Sequence, residues 1–422
     1  MTITNNLASE AQHSSEQSFS AQDKQFMARA IELAKKGHFT TSPNPRVGCV
    51  LVSYQDGVGR IIGEGYHQKA GEGHAEVNAL ADAKLNNTEL IKGATAYVTL
   101  EPCSHFGRTP PCSKALIDAK VSHVIAAMVD PNPQVSGNGL AMLEQAGIST
   151  QSGLLEAQAK DLNVGFIHKM LHNLPYVRCK LAASLDGKTA MASGESKWIT
   201  SSDARQDVQG LRAQSCAIIT GADSVIFDNA KMNVRWSELG DLQADYPEET
   251  LRQPLRVVID SQNRLTPDLD LFEYESPVLI ITGDKVENSS QWPHFVKHVQ
   301  LPLVSSNVED NTTVEGIANN QVASGDVKSY IDLKALLSYL SSLGLNDVLI
   351  ESGANLSGAF IEQDLVNELI LYQAPKLMGG DGKNLVEMPV IKKLNQAKEL
   401  TISDIRMVGR DIRITSQLTD NQ

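Results

Sequence analysis

One histidine and two cysteines, far apart in this chain, carry a spacing that obliges separate segments to meet. His74-Ala75-Glu76 is followed by Pro102-Cys103, and a second thiol returns at Cys112. One imidazole and two thiolates occupy three corners of a tetrahedral Zn²⁺ site and leave the fourth for water, which marks a catalytic rather than a closed structural centre. Such an ion lowers the pKa of its water toward ~7. Glu76 lies two residues past the histidine and need not bind metal; a carboxylate there can carry a proton between water and a leaving group. Both metal-binding segments read as the start of a helix, where amide dipoles favour thiolate.

His-x-Glu with a downstream Pro-Cys is the signature of zinc enzymes that hydrolyse an amino group from a nucleobase-like ring, in which the second cysteine normally returns after two residues. Here the intervening run is Ser-His-Phe-Gly-Arg-Thr-Pro-Pro. Coordination requires only that both sulfurs reach the ion, so the longer loop is permitted. Within it, His105 and Arg108 can hydrogen-bond a ring and a phosphate, while Pro110 and Pro111 stiffen the return. The competing reading is a structural zinc site, but those usually space their ligands two to four residues apart, and such a site has no use for Glu76.

A chain of 422 residues exceeds one typical core, so two or three domains are expected. No apolar run approaches the ~20 residues that span a bilayer. The N-terminus lacks a basic-then-apolar signal pattern, so the expected location is cytoplasmic. Five cysteines in this length do not make a disulfide framework; Cys49, Cys179 and Cys216 lie in apolar strand-like stretches and read as small buried hydrophobes. A net charge of -13 with no basic patch argues against a nucleic-acid substrate. A small anionic substrate needs only a few local cations.

Residues 1–19 are polar, rich in Ser, Gln and Asn, and expected to be disordered. Ser20 caps a helix with an apolar stripe of Phe26, Ala30, Ile31 and Ala34. Val47 to Val52 and Gly59 to Gly63 read as a hairpin around Asp56-Gly57. A helix beside His74, a strand Ala96 to Leu100, a helix Cys112 to Ala119, a strand His123 to Met128 and a helix around Leu140 to Ala146 complete a layered α/β/α unit. Gly165 to Pro175 reads as a junction, after which α/β alternation restarts. The expected elements are a strand Val177 to Ala183, a capped helix Ser202 to Ala213 and a strand Ala217 to Gly221. Leu255 to Asp260, Val278 to Thr282 and Val348 to Glu351 read as buried parallel strands, and Leu369 to Ala374 and Asp411 to Thr415 as antiparallel edges. Ser305 to Ser329 is polar and aperiodic, as in a surface loop.

Several segments together resemble the bifunctional deaminase–reductase family of riboflavin biosynthesis. They are Pro43-Asn-Pro-Arg-Val-Gly48, Gly65-Tyr-His67, His74-Ala-Glu76, Glu101-Pro-Cys103 with its loop to Cys112, and Asp130-Pro-Asn-Pro133. In the second half they are Ser184-Leu-Asp-Gly-Lys188, Gly194-Glu-Ser-Lys-Trp-Ile199 and Glu351-Ser-Gly353. The resemblance implies a cytidine-deaminase-like α/β/α domain over residues 20–168 and a dihydrofolate-reductase-like α/β domain over 176–420. It implies Zn²⁺ and NADPH as cofactors and phosphoribosyl pyrimidines as substrates. The first reaction removes the 2-amino group of 2,5-diamino-6-(5-phosphoribosylamino)pyrimidin-4(3H)-one, and the second reduces the ribosyl group to ribityl. Family precedent also implies a homo-oligomer. Carried over by position, Asn44, His67, His105, Arg108, Asp130 and Asn132 line the deaminase pocket. Asn44 and Asn132 are flanked by prolines, so turn chemistry is the competing reading for both.

The second half carries no Gly-x-Gly-x-x-Gly; the nearest stretch is Gly353-Ala-Asn-Leu-Ser-Gly358, which follows a strand and opens a helix. Free amides at a helix start can hold a phosphate. The resemblance assigns NADPH to Ala182, Trp198, Ser224, Asp228, Ser261 and Gly353, Ala354, Asn355, Leu356, Ser357, Gly358 and Ala359. It assigns the sugar phosphate to Ser196, Arg212, Met232, Arg235 and Glu351, with two arginines suited to one phosphate. A solvated helix face is the alternative for Arg212, and core packing for Trp198. Lys180, Asp186 and Glu351 are candidate proton sources. Where the family has Asp-Asp-Pro before Leu-Thr-x-Arg, this chain has Asp228-Asn-Ala230 and Met232-Asn-Val-Arg235. That departure motivates an alternative in which the second half is a non-catalytic scaffold. A deaminase of free nucleosides or tRNA is a third reading, disfavoured by the acidic charge.

Overall fold

The computed structural model describes residues 19–105, 110–133, 135–284, 291–305 and 329–418. The N-terminal tail up to residue 18, Arg108 and most of the polar stretch after Ser305 lie outside the described residues.

The first unit runs α1 (Ala21–Lys35), β1 (Gly48–Gln55), β2 (Val58–Tyr66), α2 (Ala75–Asn86), β3 (Thr95–Val98) and α3 (Cys112–Asp118). It continues with β4 (His123–Ala126), α4 (Asn138–Gln145), β5 (Ser149–Ser152), α5 (Glu156–Leu162) and α6 (Val164–His172). Ser20 caps α1 as expected: its hydroxyl accepts from Asp23 N at 3.2 Å while Asp23 accepts from Ser20 N at 2.8 Å. Asp56 and Gly57 turn the hairpin with positive φ at both positions, which matches the strand twist. The sheet order is β2-β1-β3-β4-β5, with β3, β4 and β5 parallel. Leu80, Leu116 and Leu143 cover one face and Met27, Ile31 and Leu162 the other. Residues 164–172 are helical rather than a junction, and Phe166 and Ile167 pack on the α1 side of this core.

The second unit continues with β6 (Tyr176–Ser184), β7 (Lys188–Ala190), α7 (Ser202–Gln214), β8 (Ala217–Gly221), α8 (Ala222–Asp228) and β9 (Leu255–Ile259). Then come β10 (Val278–Thr282), β11 (Val296–Gln300), β12 (Leu303–Ser305), β13 (Ser329–Ile331) and α9 (Leu333–Ser342). It ends with β14 (Asp347–Ile350), α10 (Ala354–Glu362), β15 (Glu368–Ala374), β16 (Lys383–Asn384), β17 (Leu400–Val408) and β18 (Asp411–Leu418). A nine-stranded sheet is ordered β11-β10-β9-β8-β14-β6-β15-β18-β17. β15 pairs parallel with β6, not antiparallel as its sequence suggested; β18 alone runs against the sheet, and β17, antiparallel to β18, runs with the other strands. α9 and α10 cover the face carrying Val177, Cys179 and Leu181, and α7 covers the other.

Alternation along β6 therefore turns Lys180 and Ala182 toward α7. The carboxyl ends of β6, β8, β9 and β14 share one edge, where open parallel sheets bind ligands. The two units meet through a cluster of Phe39, Ala213, Val234, Leu239 and Tyr246, and Asn346 donates to the carbonyl of Pro43, beside Asn44. No helix among the described residues is long and apolar enough to cross a membrane.

Candidate active sites

His74 is the N-cap of α2 and makes no side-chain cap bond, which leaves its ring free to face α3. The helix start is fixed by close approach to β2. A Cβ at Gly65 would meet Ala79 N at 2.2 Å and Ala75 O at 2.5 Å, so no larger residue fits without moving α2. Cys112 opens α3, and its amide donates to Cys103 Sγ at 3.3 Å. The His74, Cys103 and Cys112 ligand atoms all lie within 4.8 Å of one another. His74 Nδ1 is 3.2 Å from Cys112 Sγ and 3.6 Å from Cys103 Sγ. A tetrahedral zinc with usual bond lengths sets its nitrogen and sulfur ligands about 3.5 Å apart, so these residues fit the ion.

Electrostatics point the same way. A hydrogen bond from the Cys112 thiol holds the Cys103 thiol well below its ordinary value despite burial, and the same contact pushes Cys112 up. Glu76 is only 3% exposed, and burial pushes its carboxyl up to about 7, with the charge on Cys103 acting in the same direction. It lies beside the three ligands without belonging to their group.

The candidate pocket wall is built on hydrogen bonds. His67 is buried; its Nδ1 faces Gly73 O at 3.1 Å and its Nε2 faces Asn44 Nδ2 at 3.1 Å. With Nδ1 protonated, Nε2 accepts from the Asn44 amide and fixes which way that amide points. The His67 and His74 rings meet edge to face, with centroids 5.5 Å apart. Asp130 accepts from Asn132 N at 2.8 Å, so turn chemistry does operate at Asn132. Burial pushes the Asp130 carboxyl up, and His105, exposed just past Cys103, opposes that shift.

Glu101 was missed as a working residue. Its buried carboxylate accepts from Asp130 N, Gly137 N and Gly139 N at 2.8–2.9 Å, tying Pro102-Cys103 to the Asp130 loop and the start of α4. A carboxylate preceding Pro-Cys, with glycines near a later helix start, was the available signal.

In the second unit, Arg212 and Glu351 form a buried two-pronged pair, with Nε–Oε1 2.6 Å and Nη2–Oε2 2.9 Å; Arg212 also donates to Asn233 O at 3.0 Å. Arg212 is thus not on a solvated face. Burial raises the Glu351 carboxyl, but the Arg212 charge outweighs it and the net shift is downward. Ile350 pairs with Cys179, so Glu351 lies level with Lys180 on the neighbouring strand. Burial lowers the Lys180 pKa against the pull of Glu351.

Several expected residues have partners of their own in the fold. Arg235 pairs with Glu238 at 2.6 Å, and its charge also reaches Glu351, the partner of Arg212. Met232 is 4% exposed and packs among Val225, Val258 and Leu271. Trp198 is 62% exposed, under the Arg205 guanidinium at 4.4 Å, and so is not core. Asp186 accepts from Ser184 Oγ, Met378 N and Gly379 N, which hold its carboxyl down to about 2. An acid so stabilised as its anion is a weak proton donor near neutral pH.

Of the glycine-led stretch, Gly353 and Asn355 face outward at the start of α10, while Leu356 and Ala359 pack on the core. Ser357 is buried against Ser352. A Cβ at Gly358 would meet Glu387 O at 1.8 Å, so that glycine admits the chain rather than a cofactor. Ser224, Ser261 and the α10 start lie after β8, β9 and β14 on the shared edge, whereas Asp228 ends α8 and accepts from Lys197 Nζ at 3.0 Å. Ser196 precedes Trp198 on the segment leading to α7.

Residues 20–128 match the family described as the cytidine and deoxycytidylate deaminase zinc-binding region, and residues 175–414 match the RibD C-terminal domain. The chain is 48% identical over 392 residues to riboflavin biosynthesis protein RibD of Escherichia coli, covering 93% of this chain and 98% of that one. It is 46% identical over 398 residues to the protein of the same description from Haemophilus influenzae, covering 94% and 98%. Among solved structures, Acinetobacter baumannii RibD superposes with a TM-score of 0.81 at 42% identity, covering 94% of this chain and 99% of that one. The deaminase/reductase of Thermotoga maritima gives 0.75 at 29% identity, with the same coverage.

Proposed function

The chain belongs to the RibD family of riboflavin-biosynthesis proteins, and from that premise we propose how its residues divide the family's two reactions. The enzyme is bifunctional and acts on small molecules: a zinc-dependent deaminase and an NADPH-dependent reductase. Its substrate is 2,5-diamino-6-(5-phosphoribosylamino)pyrimidin-4(3H)-one and its final product 5-amino-6-(5-phosphoribitylamino)uracil. The division of labour falls near residues 173–175, and the working location is the cytoplasm.

The observation that carries the first reaction is a buried Glu76 beside a three-ligand cluster. Zinc held by His74, Cys103 and Cys112 supplies the activation of the attacking water. Glu76 takes a proton from that water and delivers it to the departing nitrogen, so the ring gains oxygen and ammonia leaves. Asn44, with its amide fixed by His67, and Asp130 read the ring; His105 and Arg108 reach the phosphoribosyl part.

In the second reaction the reduced nicotinamide supplies the electron pair. Lys180 donates the proton to the ring oxygen of the sugar as its bond to the anomeric carbon breaks and that carbon takes up the hydride. It is preferred because Glu351 is held as a carboxylate by Arg212 and Asp186 is tied into its turn. Arg235, exposed enough to leave Glu238, holds the sugar phosphate together with Ser196. The altered Asp228-Asn229-Ala230 stretch supplies none of Lys180, Arg212, Arg235 or Glu351, and its Asp228 carbonyl accepts from Lys197, between Ser196 and Trp198. Following the diaminopyrimidine ribotide by mass tests both halves. Without NADPH the amino-to-oxygen product accumulates; with NADPH that product acquires two hydrogens. Release of ammonia with no reduced product would leave only the deaminase.

A homo-oligomer is supported by the outer ribbon. The bulge between Ile402 and Asp404 brings Leu400, Ile402, Ile405 and Met407 to one face, and all four are exposed. Contiguous exposed apolar surface of this kind marks an interface. Ile405→Asp is expected to shift the sedimenting species to monomer, and an unchanged mass would place the interface elsewhere.

A further inference from the structure

Sheet order fixes how an extended dinucleotide must lie in the second unit. β6, β14, β8 and β9 are consecutive, so β9 stands three strand spacings, about 14 Å, from β6. With the nicotinamide at Lys180 and Ala182 on β6 and the diphosphate at the α10 start after β14, the adenosine end arrives at the loops after β8 and β9. Ser224 stands in the first turn of α8, directly after β8, and Ser261 in the loop after β9. A 2′-phosphate arriving there is close to a dianion at neutral pH and needs a cation.

The sequence around β8, β9 and β14 offers very few cations. Residues 217–230 and 347–367 contain no Lys or Arg, and residues 255–277 contain only Arg256 and Arg264. Arg256 is fully buried and spent on the carbonyls of Lys231, Leu271, Tyr274 and Ser276. Arg264 remains. It lies three residues past Ser261, and its Nη2 is 2.7 Å from Asp223 Oδ1, one residue before Ser224. The ion pair therefore bridges the start of α8 and the loop after β9, which carry the two serines. Its side chains are 41% and 63% exposed, so the pair itself contributes little stability and the guanidinium is free to change partner.

We propose that Arg264 reads the 2′-phosphate of the cofactor and sets the preference for NADPH over NADH. This rests on the reading of the second unit as an NADPH-dependent reductase. In the absence of cofactor, Asp223 holds the guanidinium against the start of α8; the phosphate, with three acceptor oxygens and greater charge, draws it away. A planar fork of donors suits such a group, which a single carboxylate only partly occupies. Arg264 makes no contact with the nicotinamide end, so its loss acts on binding of the 2′-phosphate and not on the chemical step.

The test is steady-state reduction of the deaminated intermediate by wild type, Arg264→Ala and Asp223→Asn, each with NADPH and with NADH. Arg264→Ala is expected to raise KM for NADPH ten- to a hundredfold, the loss of one charge-assisted contact, while KM for NADH moves little. Asp223→Asn breaks the same ion pair but keeps the preference for NADPH. A merely structural ion pair would make the two variants behave alike toward both cofactors, and that result overturns the proposal. So does an unchanged NADPH preference in Arg264→Ala. Wild-type enzyme that reduces nothing with either cofactor would instead overturn the reductase reading beneath it.

Discussion

Glu76→Gln is expected to lower deamination about a thousandfold while NADPH-dependent reduction of the deaminated intermediate proceeds unchanged. The magnitude follows from the role. A positioned acid–base group contributes typically 10²–10⁴-fold, or about 3–5 kcal/mol of barrier. Glutamine keeps the shape and buried volume of the side chain, so α2 and the ligand at its N-cap stay in place. What it cannot do is accept a proton and return it. Zinc content is therefore expected to match wild type, which separates this loss from loss of the metal. The second unit draws no group from α2, so reduction serves as the internal control for folding. A variant that deaminates at the normal rate would remove Glu76 from the chemistry; one that loses zinc would make it a structural support.

Lys180→Met is expected to cost reduction about a hundred- to a thousandfold with deamination intact. Methionine matches the apolar stem, and Glu351 keeps its partner in Arg212, so no carboxylate is left unpaired in the interior. The pH profile separates catalysis from packing. Burial lowers the Lys180 pKa, and a general acid works only when protonated. Wild-type reduction should thus fall as pH rises through that depressed value, earlier than an ordinary lysine would allow. The methionine variant should lose that alkaline limb along with most of its rate. If the limb survives the substitution, another group donates the proton.

The two sites differed in how far the sequence exposed them. His74, Cys103 and Cys112 were legible because metal coordination admits few residue types, and Glu76 because a carboxylate two positions past a ligand has little else to do. Glu101 was not legible: its role depends on three amides from residues 130–139 that only the folded loop gathers. Met232 looked like a substrate contact by position, yet its backbone takes a positive φ and its side chain enters the core, which no local pattern announces. β15 reads as a strand from its residues, but whether it runs parallel to β6 is decided by pairing across nearly two hundred positions. Gly165 and Pro175 signalled a break, whereas the apolar stripe between them forms a helix because the first core accepts Phe166 and Ile167. β17 escaped notice because its strand face is exposed, so burial left no alternating signature.

Metal content measured against activity bears most directly on the whole account. Freshly purified enzyme should hold one zinc per chain; its removal by a chelator should abolish ammonia release while reduction of the deaminated intermediate continues, and added Zn²⁺ should restore the first activity. Enzyme stripped of metal that still deaminates would contradict it.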